Sequence, residues 1–87
     1  MKVKVRFYAY LREKIKEKDE FECDCKTAKE LFEELLRRYP ELQREREEYK
    51  DSGLELGVLI NGRDWRHLGE IEGDEVKVSV FPPAAGG

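Results

Sequence analysis

The chain has 87 residues, of which 43% are charged and 39% hydrophobic, and carries a formal net charge of −3. That is enough for one small domain with one apolar core, and no apolar run approaches a membrane span. Charge is balanced at 17 basic against 20 acidic residues, so the basic stripe expected of a phosphate-tracking nucleic-acid binder is missing. One His, two Cys and few hydroxyl residues leave no nucleophile–base–orienter set around His67, and Cys23-Asp24-Cys25 is neither CxxC nor half of a zinc site. We expect no catalytic centre, no metal and no membrane association. The opening Met1-Lys2-Val3-Lys4-Val5-Arg6 alternates charge with valine, unlike a signal peptide, so a cytoplasmic protein is expected.

Residues 2–8 read as a strand with Val3, Val5 and Phe7 inward and Lys4, Arg6 and Tyr8 outward. Residues 9–18 read as a polar connection with one helical turn anchored by Leu11 and Ile15. Residues 19–25 read as a second strand, with Phe21, Cys23 and Cys25 on one face. Two positions apart on a strand is poor geometry for a disulfide, so the cysteines read as small buried residues. Thr27-Ala28-Lys29-Glu30 is a capping box, and Ala28, Leu31, Phe32, Leu35, Leu36 and Tyr39 follow as one helical stripe. Tyr39-Pro40 ends that helix. The charged segment 41–50 reads as a short surface helix anchored by Leu42 and Tyr49.

Leu56, Val58 and Ile60 alternate as a third strand, and Asn61-Gly62 signals a tight hairpin into a short return strand at Arg63, Asp64 and Trp65. Gly73-Asp74 turns the chain into a last strand, Glu75 to Phe81, with Val76, Val78 and Val80 inward. Pro82-Pro83 stops the ladder. One main helix must therefore cover one face of a mixed sheet of four to five strands. The predicted fold is an α+β roll of the ubiquitin, or β-grasp, kind over residues 1–81, with an extended C-terminal tail over 82–87.

That tail is Pro82-Pro83-Ala84-Ala85-Gly86-Gly87. Two terminal glycines arise by chance roughly 1 time in 200. A frayed end is the bland reading. The functional one is physical: a carboxylate must be activated before it can be attacked, and a narrow enzyme channel most easily admits a chain without Cβ atoms. The prolines are expected to keep the tail extended and clear of the sheet, reaching roughly 20 Å from Phe81.

The β-grasp order, the turn Gly73-Asp74-Glu75-Val76, the ending Phe81-Pro82-Pro83 through Gly86-Gly87, and the opening Val5-Arg6-Phe7-Tyr8-Ala9-Tyr10-Leu11-Arg12-Glu13 resemble the small subunit of molybdopterin synthase, the MoaD-like sulfur carriers. The resemblance implies that Gly87 is adenylated by a ubiquitin-activating-type adenylyltransferase using ATP and converted to a thiocarboxylate. It further implies that the tail, Pro82 to Gly86, enters the synthase large subunit within a heterotetramer, and that sulfur passes to a pyranopterin precursor of the molybdenum or tungsten cofactor. The carrier itself would bind no cofactor and would not be an enzyme on its own. The resemblance also makes the first and last strands parallel neighbours, which brings Tyr8 and Phe81 together at the tail's root. There they either form a partner-binding pair, or Tyr8 packs under the 9–18 loop. The alternative functions are a ubiquitin-like modifier joined through Gly87 to lysines, a sulfur carrier for thiamine or another thio-compound, and a plain interaction domain.

Overall fold

The computed structural model describes residues 1–83. The calls on Ala84, Ala85, Gly86 and Gly87 lie outside the described residues. In chain order the elements are β1 (Lys2–Phe7), α1 (Leu11–Lys14), β2 (Glu20–Glu22), α2 (Ala28–Arg38), α3 (Pro40–Tyr49), β3 (Gly57–Ile60), β4 (Arg63–Asp64), a 3₁₀ turn at Trp65–His67, and β5 (Glu75–Phe81). The five strands form one mixed sheet in the order β2-β1-β5-β3-β4, with β1 and β5 parallel at its centre. This is the expected α+β β-grasp architecture.

Alternation decides which face of the sheet is covered. Val3, Val5 and Phe7 of β1, Val58 and Ile60 of β3, and Val76, Val78 and Val80 of β5 are all buried. They meet the α2 stripe of Ala28, Leu31, Phe32 and Leu35, closed at its end by Tyr39. Apolar area removed from water on both sides is the main favourable term in such a two-layer arrangement.

Local chemistry sets the ends of the elements. The Thr27 hydroxyl accepts from the Glu30 N–H at 3.1 Å, while the Glu30 carboxylate accepts from the N–H groups of Thr27 at 3.1 Å and Lys26 at 2.9 Å. Those backbone donors hold the Glu30 carboxyl below its ordinary range, Lys26 contributing most. Pro40 opens α3 directly after α2 ends, since its missing N–H is one that the first helical turn leaves unpaired anyway. Asn61 and Gly62 both have positive φ, 51° and 84°, as the primed turn of a two-residue hairpin requires.

Three readings need correction. β2 runs only from Glu20 to Glu22, and Cys23 still exchanges two hydrogen bonds with Met1. Beyond Cys23 the backbone bends, bringing the Cα atoms of Cys23 and Cys25 to 5.3 Å, and the two form a disulfide. A straight strand would hold such residues about 6.7 Å apart with little freedom to turn the sulfurs together. Cys23 is buried as expected, but Cys25 is only half-buried.

The charged segment 41–50 does form a helix with Leu42 buried and Tyr49 half-buried, but a third residue anchors it. Glu45 is 2% exposed. Its carboxylate accepts from the Tyr10 hydroxyl and, at 3.2 Å, from the Lys14 ammonium. A buried carboxylate persists only when it is paired in this way. The network ties α1 to α3. Burial first, and then the Glu45 carboxylate, raise the Tyr10 hydroxyl well above its ordinary value. The return strand is also shorter than expected, because Trp65 already belongs to the 3₁₀ turn.

Tyr39 supplies a test of the core. Its hydroxyl donates to the Lys18 carbonyl at 2.7 Å, and burial, with a smaller contribution from Asp19, pushes it from 10.0 to about 12. The neutral form is favoured in the fold, so this contribution is intact below pH 10 and is lost as pH rises through about 12. Urea midpoints measured across that alkaline range should fall more steeply for the native sequence than for Tyr39→Phe; parallel curves would contradict this.

Candidate functional site at the root of the tail

The parallel register of β1 and β5 runs from Lys2↔Glu75 to Phe7↔Val80. It leaves Tyr8 and Phe81 side by side just past the last pair. The Tyr8 N–H donates to the Val80 carbonyl at 3.0 Å, extending the ladder by one bond. The two rings stack with centroids 4.4 Å apart and planes within 15°. Both side chains are half-buried and lie on the sheet face opposite the valines. The expected aromatic pair is therefore present at the point where the tail leaves the sheet, in place of Tyr8 packing under the 9–18 loop.

Gly57 makes room for this pair, a role that the sequence reading missed. It lies opposite Phe81 in the antiparallel β3–β5 register. A Cβ on Gly57 would fall 3.3 Å from the Phe81 Cβ, tighter than most packed side chains, and in ordinary contact with its Cδ2 at 3.6 Å, so a larger side chain would have to displace the ring. Glycine inside a strand often marks such a close approach, and that was the available signal.

Around the pair the open face is mixed in character. Ser79 lies beside Arg6 in the β1–β5 register and beside Leu59 in the β3–β5 register. The Arg6 guanidinium sits 6.0 Å from the Tyr8 ring centroid. Among the described residues Arg6 has no ion-pair partner, so this end of the face presents aromatic surface beside one positive charge.

On the other side of the root the segment 55–57 is held firmly. Leu56 is buried, and Arg66 donates to Glu55 at 2.6 Å and to both carboxylate oxygens of Asp64. The Arg66 side chain, with its N–H, holds the Asp64 carboxyl down at about 2. Trp65 stacks on Phe32 at 4.0 Å. Pro82 is buried and Pro83 half-buried, so the folded body extends past the last strand residue, Phe81, and Pro82 contributes packing as well as stiffness.

Among the described residues no cluster of His, Cys, Asp or Glu could hold a metal ion, and His67 lies exposed. The arrangement is a half-buried aromatic pair on the open face of the sheet, beside the point where β5 ends.

The comparisons agree with that geometry. The model of the ThiS family matches residues 5–87, which takes in nearly the whole domain and the tail. The chain belongs to the ThiS family. ThiS-type proteins are ubiquitin-like sulfur carriers that work with partner enzymes and are not enzymes themselves. Among solved structures, the chain is similar to that described as the solution structure of the Haloferax volcanii HVO 2177 protein, at 30% identity and a TM-score of 0.57, covering 100% of this chain and 87% of that one. A search of curated proteins finds no match. No helix among the described residues is long and apolar enough to cross a membrane.

The role given to Gly57 is directly testable. Gly57→Val should separate the Tyr8 and Phe81 rings, which is read as loss of the cross-peaks between them in proton nuclear Overhauser spectra. Gly69→Val, at a position where an added Cβ meets nothing within 4 Å, should leave them unchanged. Cross-peaks that survive in Gly57→Val would show that the pair does not depend on the gap.

Proposed function

We propose that this ThiS-family carrier is the small subunit of a molybdopterin synthase, with Gly87 as the reacting residue. The observation that carries the reading is the stacked Tyr8–Phe81 pair at the root of a Pro82-Pro83-Ala84-Ala85-Gly86-Gly87 tail. The Gly87 carboxylate attacks the α-phosphorus of ATP on an adenylyltransferase, giving the acyl-adenylate and releasing pyrophosphate. A sulfur donor then displaces AMP and leaves a thiocarboxylate. The thiocarboxylated tail enters the large subunit and gives its sulfur to a pyranopterin precursor, and water restores the carboxylate. Small residues at Ala84, Ala85 and Gly86 suit a narrow channel, while Phe81, Tyr8 and Pro83 form the docking collar outside it.

A second reading is sulfur donation in thiamine synthesis. It is favoured by the identity of the matching family, and it shares every step up to the thiocarboxylate. The two part at the acceptor. Incubating the thiocarboxylated chain with a molybdopterin synthase large subunit and a pyranopterin precursor should yield the dithiolene product. No product there, with sulfur accepted instead by a thiazole-forming enzyme, would favour the second reading.

Three variants test the roles of individual residues. Deleting Gly87 should abolish ATP-dependent adenylation while the melting curve stays unchanged, since the described core ends before it. Phe81→Ala should weaken binding to the large subunit by about 2 kcal/mol, roughly 30-fold, with the fold retained. Val78→Ala, which truncates a buried side chain, should lower stability and leave the affinity of the folded fraction intact. The opposite pattern would put Phe81 in the core and not in an interface.

A further inference from the structure

We propose that the Cys23–Cys25 disulfide is a site of reversible thiol–disulfide exchange that accepts electrons from small or protein dithiols, independently of the tail. Its placement argues against a structural cross-link. The bridge spans two positions of sequence, and loop-closure stabilisation is smallest for the shortest loops. It also joins segments that are already fixed. Cys23 donates its N–H to the Met1 carbonyl at 3.0 Å and accepts from the Met1 amino group at 3.1 Å. On the other flank, the Lys26 carbonyl accepts from Ile71 at 3.0 Å and the Ala28 N–H donates to Gly69 at 2.8 Å. Opening the bridge removes none of these bonds.

The two sulfurs differ in a way that sets the direction of attack. Cys23 is 8% exposed and packs with the core, whereas Cys25 is half-buried, and the pair opens onto a shallow surface depression formed with α2. The Cys25 N–H donates to the Cys23 Sγ at 3.1 Å. An incoming thiolate therefore reaches the Cys25 sulfur. The new S–S bond forms there as the Cys23–Cys25 bond breaks, and the electron pair goes to Cys23, whose developing negative charge meets the Cys25 N–H. A stabilised leaving thiolate speeds exchange. The second thiol of the reductant then attacks its own sulfur in the mixed disulfide, releasing Cys25 as a thiolate that takes up a proton. The dithiol ends as a disulfide and the protein as a dithiol, so two electrons and two protons balance.

The site lies at the Met1 end of β1, and the tail leaves from the opposite end of the parallel pair, about 17 Å away along the strand. The exchange steps at the cysteines use no group of the tail.

The test uses the intact chain and dithiothreitol as the probe, without denaturant. The expected result is a gain of two hydrogens in intact mass, two alkylatable thiols per chain, reoxidation on dilution into oxidised dithiothreitol, and a melting midpoint that moves by less than about 5 °C. Cys23→Ser, which leaves the Cys25 thiol, should exchange with oxidised glutathione, forming a mixed disulfide and releasing one reduced glutathione, at least tenfold faster than Cys25→Ser. Resistance of the native protein to dithiothreitol, unfolding on reduction, or faster trapping at Cys23 would each overturn the proposal.

Discussion

Everything functional in this domain depends on the parallel pairing of β1 with β5. That pairing joins the first and last strands of the sequence, and its register is set by which side chains must be dry. Val3, Val5 and Phe7 share the covered face with Val76, Val78 and Val80. A slip of one residue would turn every one of these toward water, so the apolar pattern holds the register firmly. Tyr8 and Phe81, one step beyond the last pair, are delivered together to the open face without any interaction of their own being needed to choose the register. Their stacking then uses a geometry that the core has already fixed.

The remainder of the fold supports that platform from beneath and from the sides. α2 covers the valines, and Tyr39 at its end meets Phe7 edge-on, with ring centroids 4.9 Å apart. The Glu45 carboxylate fastens the α1 segment, which follows Tyr8, to α3 through Tyr10 and Lys14. Gly57 clears space for Phe81 from the other neighbour, and the Asp64–Arg66–Glu55 group holds the approach to Gly57. A domain this small places few residues outside such duties.

Where structure follows from local period, it was legible. The valine alternation of β1 and β5, the Thr27–Glu30 capping box and the Asn61-Gly62 turn each state their geometry within a few residues, and each is found as read. The aromatic pair was legible too, though only with the strand order that the β-grasp resemblance implied. What escaped was set by contacts far along the chain. Glu45 looks like any other charge in its segment until Tyr10, 35 residues earlier, is brought against it. The cysteine pairing escaped because a straight strand through Cys25 was expected, whereas the backbone bends once Cys23 has made its bonds to Met1. Pro82 was read as lifting the tail clear, yet it is itself buried.

The central proposal is that Gly87 carries sulfur. Intact mass spectrometry of the protein isolated from its native cells, with alkylation to mark a terminal thioacid, tests that most directly. The account predicts a population in which one oxygen of the chain is exchanged for sulfur and the modification maps to Gly87. Finding Gly87 solely as a free carboxylate, or solely in amide linkage to lysines of other proteins, would contradict it.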